Sequence, residues 1–389
     1  MEYSSPFRMA FVGDVLVDRD DPPAAFDAVR DVLAGFDYRF ANLEAVYTDD
    51  PHHAPSAYLP VYAPRSNATA ITDGIFSAMA LAHNHSVDAG HAALLDTRQV
   101  LLDHGVGVAG AGADIDEARC PAVVQAAGKT VALLAYASMF PAGYEARANW
   151  PGIAPMRGLN IYPGTPNHWI PGERSDVRTV PHEEDALQLS RDIAQAKGTS
   201  DIVVASFHWG DWTRPFHITD HERRTARAAI DAGADVVVGH HHHALRGFEF
   251  YRGKPIFYGL GHFVFDAQQI PPRVKAFGTW GDDPESYGSL VPRPGSPDSF
   301  PFHPDMRITG IAWCEEQPGE APVKAGIIPC LLNGAGDPVR VDPRDPDWRR
   351  ILKYLTEACE SQGFAVKLDV EEDTPTPGIT SLVISPTTA

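Results

Sequence analysis

Short apolar runs that stop abruptly at Gly, Pro or Asp recur along the whole chain, and this rhythm excludes most architectures. Residues 9–12, 38–43, 76–81, 131–136, 202–207, 235–238, 256–258 and 307–313 are too short for helices. Several are rich in Val and Ile, so they read as strands. Amphipathic stretches over 23–34, 92–103, 183–196, 221–232 and 346–362 read as helices. The third opens on Glu183, Glu184 and Asp185 and closes at Gly198, which complements the helix dipole. The second stops before Gly105, a C-terminal cap signal. Strands and helices that alternate in this way predict a layered α/β fold.

Two stretches interrupt the rhythm, 139–180 and 267–305, both dense in Pro and Gly. Loops of that length in a compact domain are commonly functional. Their aromatic residues, Tyr144, Trp150, Tyr162, Trp169, Trp280 and Tyr287, suit a lid or pocket wall. The expected organisation is one catalytic domain over 1–335. A C-terminal extension over 336–389 would pack on it, with a loose tail after 373.

Charge narrows the function. There are 32 Lys+Arg against 51 Asp+Glu, a formal net charge of −19. Such a surface does not suit a long phosphate footprint or a polybasic membrane anchor, so neither nucleic acid nor membrane is an expected partner. No apolar run approaches the roughly 20 residues of a membrane span. Residues 1–10 lack the regions of a signal peptide. The cysteines, Cys120, Cys314, Cys330 and Cys359, are scattered and form no CxxC, which fits a reducing compartment. The expected localisation is cytoplasmic.

Eight of the 17 histidines fall just after predicted strands, beside two carboxylates. The stretches are Gly13-Asp14, Asn42-Leu43-Glu44, His83-Asn84-His85 with Asp88, His208-Trp209-Gly210, His240 to His243, and His262. Sites in α/β sheets gather at the carboxyl ends of strands. Each residue alone has an ordinary reading: Asp14 as a turn residue, Glu44 on the surface, Asn84 as a helix cap, His208 in the core. Together, carboxylate, imidazole and amide oxygen drawn from several strand ends suit transition metals or Zn. Two carboxylates with several imidazoles can hold a metal pair.

These segments, in this order, resemble the poly-γ-glutamate capsule-synthesis (CapA-like) family. The stretch from Ala232 through the four histidines, and Gly253-Lys-Pro-Ile-Phe-Tyr-Gly-Leu-Gly-His-Phe-Val-Phe265, look like its longest signature. The resemblance covers about residues 8–330. It implies a calcineurin-like metallophosphoesterase β-sandwich flanked by helices, in α/β/β/α layers, with two divalent ions (Mn, Zn or Fe). By match to the superfamily motifs, Asp14 and His243 bind the first metal and Glu44 bridges. Asn84, His208 and His241 complete the second. His85 acts as acid or electrostatic stabiliser, oriented by Asp88. His242 stands where the family has Pro, and His240 at its variable place.

Three departures follow. Leu16 stands where the superfamily often has a third-place His, which leaves the first metal one ligand short. His83 and His262 stand where the family has Asn. Together with His240, they are the possible additional site residues. The implied function is a metal-dependent hydrolase acting on a small anionic phosphoester or γ-glutamyl-type amide. Arg19, Arg157, Arg214 and Arg246 are candidates to hold the anion. The alternatives are a non-hydrolytic polyanion-handling protein and an iron-dependent redox enzyme. Family members are often anchored at the N-terminus, a feature the opening residues lack.

Overall fold

The computed structural model describes residues 6–57, 59–162, 177–266, 302–316 and 324–387. Two sheets face each other. In the larger, β1 (Phe7–Leu16), β2 (Tyr38–Leu43), β3 (Ala78–Ala80) and β4 (Gly107–Ala109) lie side by side and parallel. The second is six-stranded: β5 (Ala122–Ala126), β6 (Lys129–Ala137), β7 (Ile202–His208), β8 (Val236–His240), β9 (Phe248–Tyr251) and β10 (Lys254–Phe257), in the order β9-β10-β8-β7-β6-β5. The chain then returns to the larger sheet. β11 (His262–Phe265) joins β1 in parallel, and β12 (Ile308–Glu316) and β13 (Lys324–Leu332) extend it antiparallel. β14 (Pro338–Arg340), β15 (Val366–Glu371) and β16 (Ser381–Pro386) complete its ten strands.

Phe11 of β1 packs on Phe257 of β10 at 6.2 Å, and Phe40 of β2 meets His240 of β8 edge-on at 5.7 Å, so the core lies between the sheets. β7 and β8 are buried along their whole length. Strands covered on both faces need unbroken apolar runs, and these are the runs the sequence displays. Helices α2 (Glu183–Lys197) and α3 (Asp220–Ala232) cover the outer face of the six-stranded sheet. α1 (His91–Asp103) packs near β4, and α4 (Pro346–Glu360) near β15. A reciprocal capping box between Thr219 and Glu222 starts α3. The result is the mixed α/β fold of large sheets flanked by helices that the sequence implies. Among the described residues, no helix is long and apolar enough to cross a membrane.

Two expectations change, and a third falls largely outside the described residues. The helix expected over 23–34 is two pieces, a 3-10 turn at Pro22–Phe26 and a short helix at Arg30–Ala34. Val29 takes φ −128°, outside the helical region, yet Phe26, Val29 and Leu33 are all fully buried. The apolar spacing survives while the backbone breaks between its members. The tail after 373 is not loose. β16 pairs with both β13 and β15 and buries Leu382, Val383 and Ile384. Its Leu-Val-Ile run is short and follows Pro-rich sequence, which hides it from a pattern reading. Most of the loop expected over 267–305, with Trp280 and Tyr287, and part of that over 139–180, with Trp169, lie outside the described residues.

Candidate metal centre

Parallel pairing gathers the site. β2 lies against β1 with Asp14 opposite Asn42, and β11 pairs on the other edge of β1 with Asp14 opposite His262. Two close approaches make this possible. A Cβ on Gly13 would lie 2.0 Å from the Gly261 carbonyl oxygen, and one on Gly239 would lie 1.9 Å from that of Tyr258. Only glycine lets these backbones meet. Asp14 N then donates to Gly261 O at 2.8 Å, fixing β1 against the turn that precedes His262.

The donor atoms fall into two groups that share one residue. Asp14, Glu44, His243 and His262 each bring a ligand atom within 4.8 Å of the others, and so do Glu44, His208 and His241. Glu44 belongs to both. Asn84 Oδ1 lies 2.7 Å from His208 Nε2, which adds an amide oxygen to the second group. His208 Nε2 is 3.6 Å from Glu44 Oε1. The backbone is strained where two of these candidate ligands sit: His241 has φ +88° and His243 φ +56°. A non-glycine residue in the left-handed region costs about 1 kcal/mol, and such strain gathers at functional sites.

Polar atoms here are buried without internal partners. Among the described residues, His241 Nδ1, His243 Nδ1 and Glu44 Oε1 find no hydrogen-bond partner. Native interiors satisfy nearly all buried polar groups, so a cluster of exceptions calls for an absent partner. The donor set fits a divalent cation. Burial, reinforced by the neighbouring imidazoles, pushes His208 and His243 well below their ordinary value. Burial, then the charge of His242, takes His241 down to about 3, and burial takes His262 down to about 4. Neutral imidazole is the form that binds metal. Burial and the charge of Asp14 push Glu44 well above the carboxylate range. For Asp14, burial pushes upward, but His240, His262 and Asn42 outweigh it and hold the group low.

The other predicted residues surround these groups. His85 Nδ1 meets Asp88 Oδ2 at 2.7 Å. Asp88 also accepts from Tyr144 OH at 2.7 Å and from Val61 N at 2.9 Å. His83 accepts from His85 N through Nδ1 at 3.1 Å and lies 5.8 Å from the His208 ring. Burial holds it near 3. His240 Nδ1 lies 3.3 Å from Asp14 Oδ1. Neither His83 nor His240 enters a ligand-atom group, whereas His262 does. His242 turns away, its Nε2 2.9 Å from Glu222 Oε1.

Leu16 is buried and offers no ligand, but strand pairing supplies His262 to the same group. No sequence spacing signals that substitution, because it depends on β11 pairing with β1. Tyr144 and Trp150, expected as pocket wall, line a separate cavity of about 420 Å³, with the Tyr144 hydroxyl on Asp88, while Tyr162 is exposed. Phe302 stacks on His243 at 4.9 Å and carries no sequence signal of its own. A cavity of about 850 Å³ opens onto His241, lined also by Met139, Asp211, Trp212 and Arg214.

Residues 8–267 match the family described as bacterial capsule synthesis protein PGA_cap. The PGA biosynthesis protein CapA of Bacillus subtilis (strain 168) is 29% identical over 267 residues, 66% of this chain and 63% of that protein. The capsule biosynthesis protein CapA of Bacillus anthracis is 29% identical over 271 residues, 66% of this chain and 59% of that protein. The chain therefore matches less than two thirds of the length of either relative. A crystal structure of a hypothetical protein from Thermus thermophilus aligns over 86% of this chain and 96% of that one, with TM-score 0.40 and 13% identity. At that level the likeness carries no argument. The match over residues 8–267 shows that the chain belongs to the bacterial capsule synthesis protein PGA_cap family.

Proposed function

We propose that this chain is a metal-dependent hydrolase that cleaves a phosphoester or γ-glutamyl-type amide in a small anionic substrate. The observation that carries this reading is the double membership of Glu44, one carboxylate within reach of two separate sets of buried ligand atoms. Asp14, Glu44, His243 and His262 would hold one divalent ion, and Glu44, Asn84, His208 and His241 the other. Such a pair, when bound, lowers the pKa of a water and clamps the attacking and leaving oxygens.

The protein's own groups supply the rest. Asp88 holds His85 through Nδ1, so a proton passing to the leaving group would travel through Nε2. Tyr144 and Val61 fix Asp88 in turn, which keeps the imidazole oriented without a mobile partner. His240 steadies Asp14 beside the strand end. The cleft that opens onto His241 admits substrate past Trp212. The relatives are named for capsule or PGA biosynthesis, where a γ-glutamyl bond is a natural candidate for cleavage.

The test is metal content by elemental analysis, paired with turnover of bis(p-nitrophenyl) phosphate and γ-glutamyl-p-nitroanilide. The expected result is bound transition metal in wild type, metal-dependent cleavage of one probe, and loss of both in Glu44→Ala and His241→Ala. Wild-type protein that binds no metal, or metal content unchanged in both variants, overturns the proposal.

A further inference from the structure

Three of the four arginines offered by the sequence for an anion are already engaged. Arg19 meets Asp266 at 2.8 Å and Asp337 at 2.6 Å. Arg157 pairs with Asp185 at 2.7 Å, and Arg214 with Asp211 at 2.7 Å. Arg246 differs. It is 1% exposed, and among the described residues its guanidinium makes one hydrogen bond, Nη2 to Asp211 O at 3.1 Å, while Nε has no partner. No carboxylate among the described residues forms an ion pair with it. An arginine stays charged even where burial opposes it, and Asp211 and Glu222 offset that charge from a distance without pairing with the guanidinium.

Arg246 lines a chamber of about 460 Å³ walled by Trp212, Phe216, Phe302, Met306 and Tyr354. At the rim the charges cancel: Arg350 pairs with Asp305 at 2.7 Å, and Lys353 with Glu357 at 3.7 Å. Phe302 stacks on His243, and Trp212 meets His243 edge-on at 6.2 Å. One aromatic layer thus separates the chamber from the ligand groups. Tyr354 OH donates to Leu245 O at 3.0 Å, which leaves Arg246 as the deep cation.

We infer that this chamber binds a small organic carboxylate, its anionic end on Arg246 and its apolar body against Trp212, Phe216 and Met306. A single guanidinium matches one negative charge. Apolar walls cannot solvate the second charge of a phosphate dianion. The inference is independent of any metal chemistry, because none of the chamber's lining residues belongs to the two ligand groups.

The experiment uses the full chain in EDTA and calorimetric titration with 3-phenylpropanoate, 3-phenylpropanamide and inorganic phosphate. The acid is expected to bind saturably, with the amide and phosphate weaker by about tenfold or more. Arg246→Gln should weaken the acid by a similar factor, leave the amide unchanged, and load metal like wild type. Met306→Trp, which fills the chamber from its wall, should weaken acid and amide together, and it serves if Arg246→Gln does not fold. No saturable binding of the acid, equal binding of acid and amide, tighter binding of phosphate, or an Arg246→Gln variant that binds the acid like wild type overturns the inference. Failure of the metal-content test leaves these outcomes untouched.

Discussion

The two ends of the six-stranded sheet both bury ionisable side chains and treat them in opposite ways. At the amino ends, Asp235 is buried just before β8 and fully answered. It accepts from Lys197 at 2.7 Å and from Val203 N at 2.9 Å, and it meets Lys254 as well. At the carboxyl ends, His241 and His243 are held in left-handed backbone with Nδ1 atoms that no group among the described residues answers. A buried polar group satisfied from within stabilises the fold, whereas a cluster left unsatisfied is arranged for something that arrives.

Substitutions at the two ends should therefore separate stability from function. Glu44→Ala removes the carboxylate common to both ligand groups. Its expected effect is the largest, a loss of about a thousandfold or more in kcat/KM, and metal content should fall with it. Asp235→Ala should do the reverse. Metal content and turnover hold, while denaturant unfolding shows a loss of about 2–3 kcal/mol. That figure is at the low end for a buried pair because Lys197 and Lys254 keep 38% and 22% of their side-chain exposure and can turn to water. His242→Ala tests the same contrast within one loop. It leaves the Glu222 carboxylate buried without its imidazole, at a cost of about 2 kcal/mol, and should spare metal binding. A metal-depleted Asp235→Ala protein would break the comparison.

The sequence shows why some of this was legible. Val236 to Val238 followed by four histidines marks a buried strand that ends on candidate ligands, and the structure places that strand within two residues of expectation. Asp14, Glu44, Asn84, His208, His241 and His243 were foreseeable as candidates because each follows an apolar run and the family resemblance singles them out there, and strand ends converge in a parallel sheet. His262 was legible only as a possible additional site residue, since its place beside Asp14 depends on which edge of β1 receives β11. The opposite fate of neighbours in the histidine run was legible from the family pattern alone. Four identical side chains carry no signal of direction by themselves, and the backbone turn sends His241 and His243 one way and His242 to Glu222. The β16 strand was hidden for a related reason, because a three-residue apolar run becomes a strand only when two partners flank it.

Acidity offers a smaller and independent measure. His208, His241, His243 and His262 all lie below the ordinary 6.5 in the fold. Between 6.5 and about 4 the unfolded chain takes up these protons and the folded, metal-free chain does not, so stability falls as pH falls. Glu44 opposes this, holding in the fold a proton that the unfolded chain releases above 4.5. Four imidazoles outweigh one carboxyl. Chemical denaturation in EDTA at pH 7 and pH 5 should show a loss of about 1.4 kcal/mol per pH unit for each net proton. A flat profile would mean that the carboxyl-end imidazoles are answered after all.

The smallest expected effect isolates the strain itself. At φ +88°, His241 holds a conformation that glycine adopts freely, so His241→Gly should relieve about 1 kcal/mol. The lost packing of a buried ring works against that gain. In the metal-free protein the two nearly cancel, and thermal unfolding should place the variant within about 1 kcal/mol of wild type. With saturating Zn²⁺ the two proteins should part. Any ligand that binds only the folded state raises stability with its concentration, and wild type should rise while the variant lags. If His241→Gly is instead strongly destabilised without metal and still gains as much from Zn²⁺, the ring serves the fold, and the carboxyl ends of the sheet are no different in kind from the amino ends.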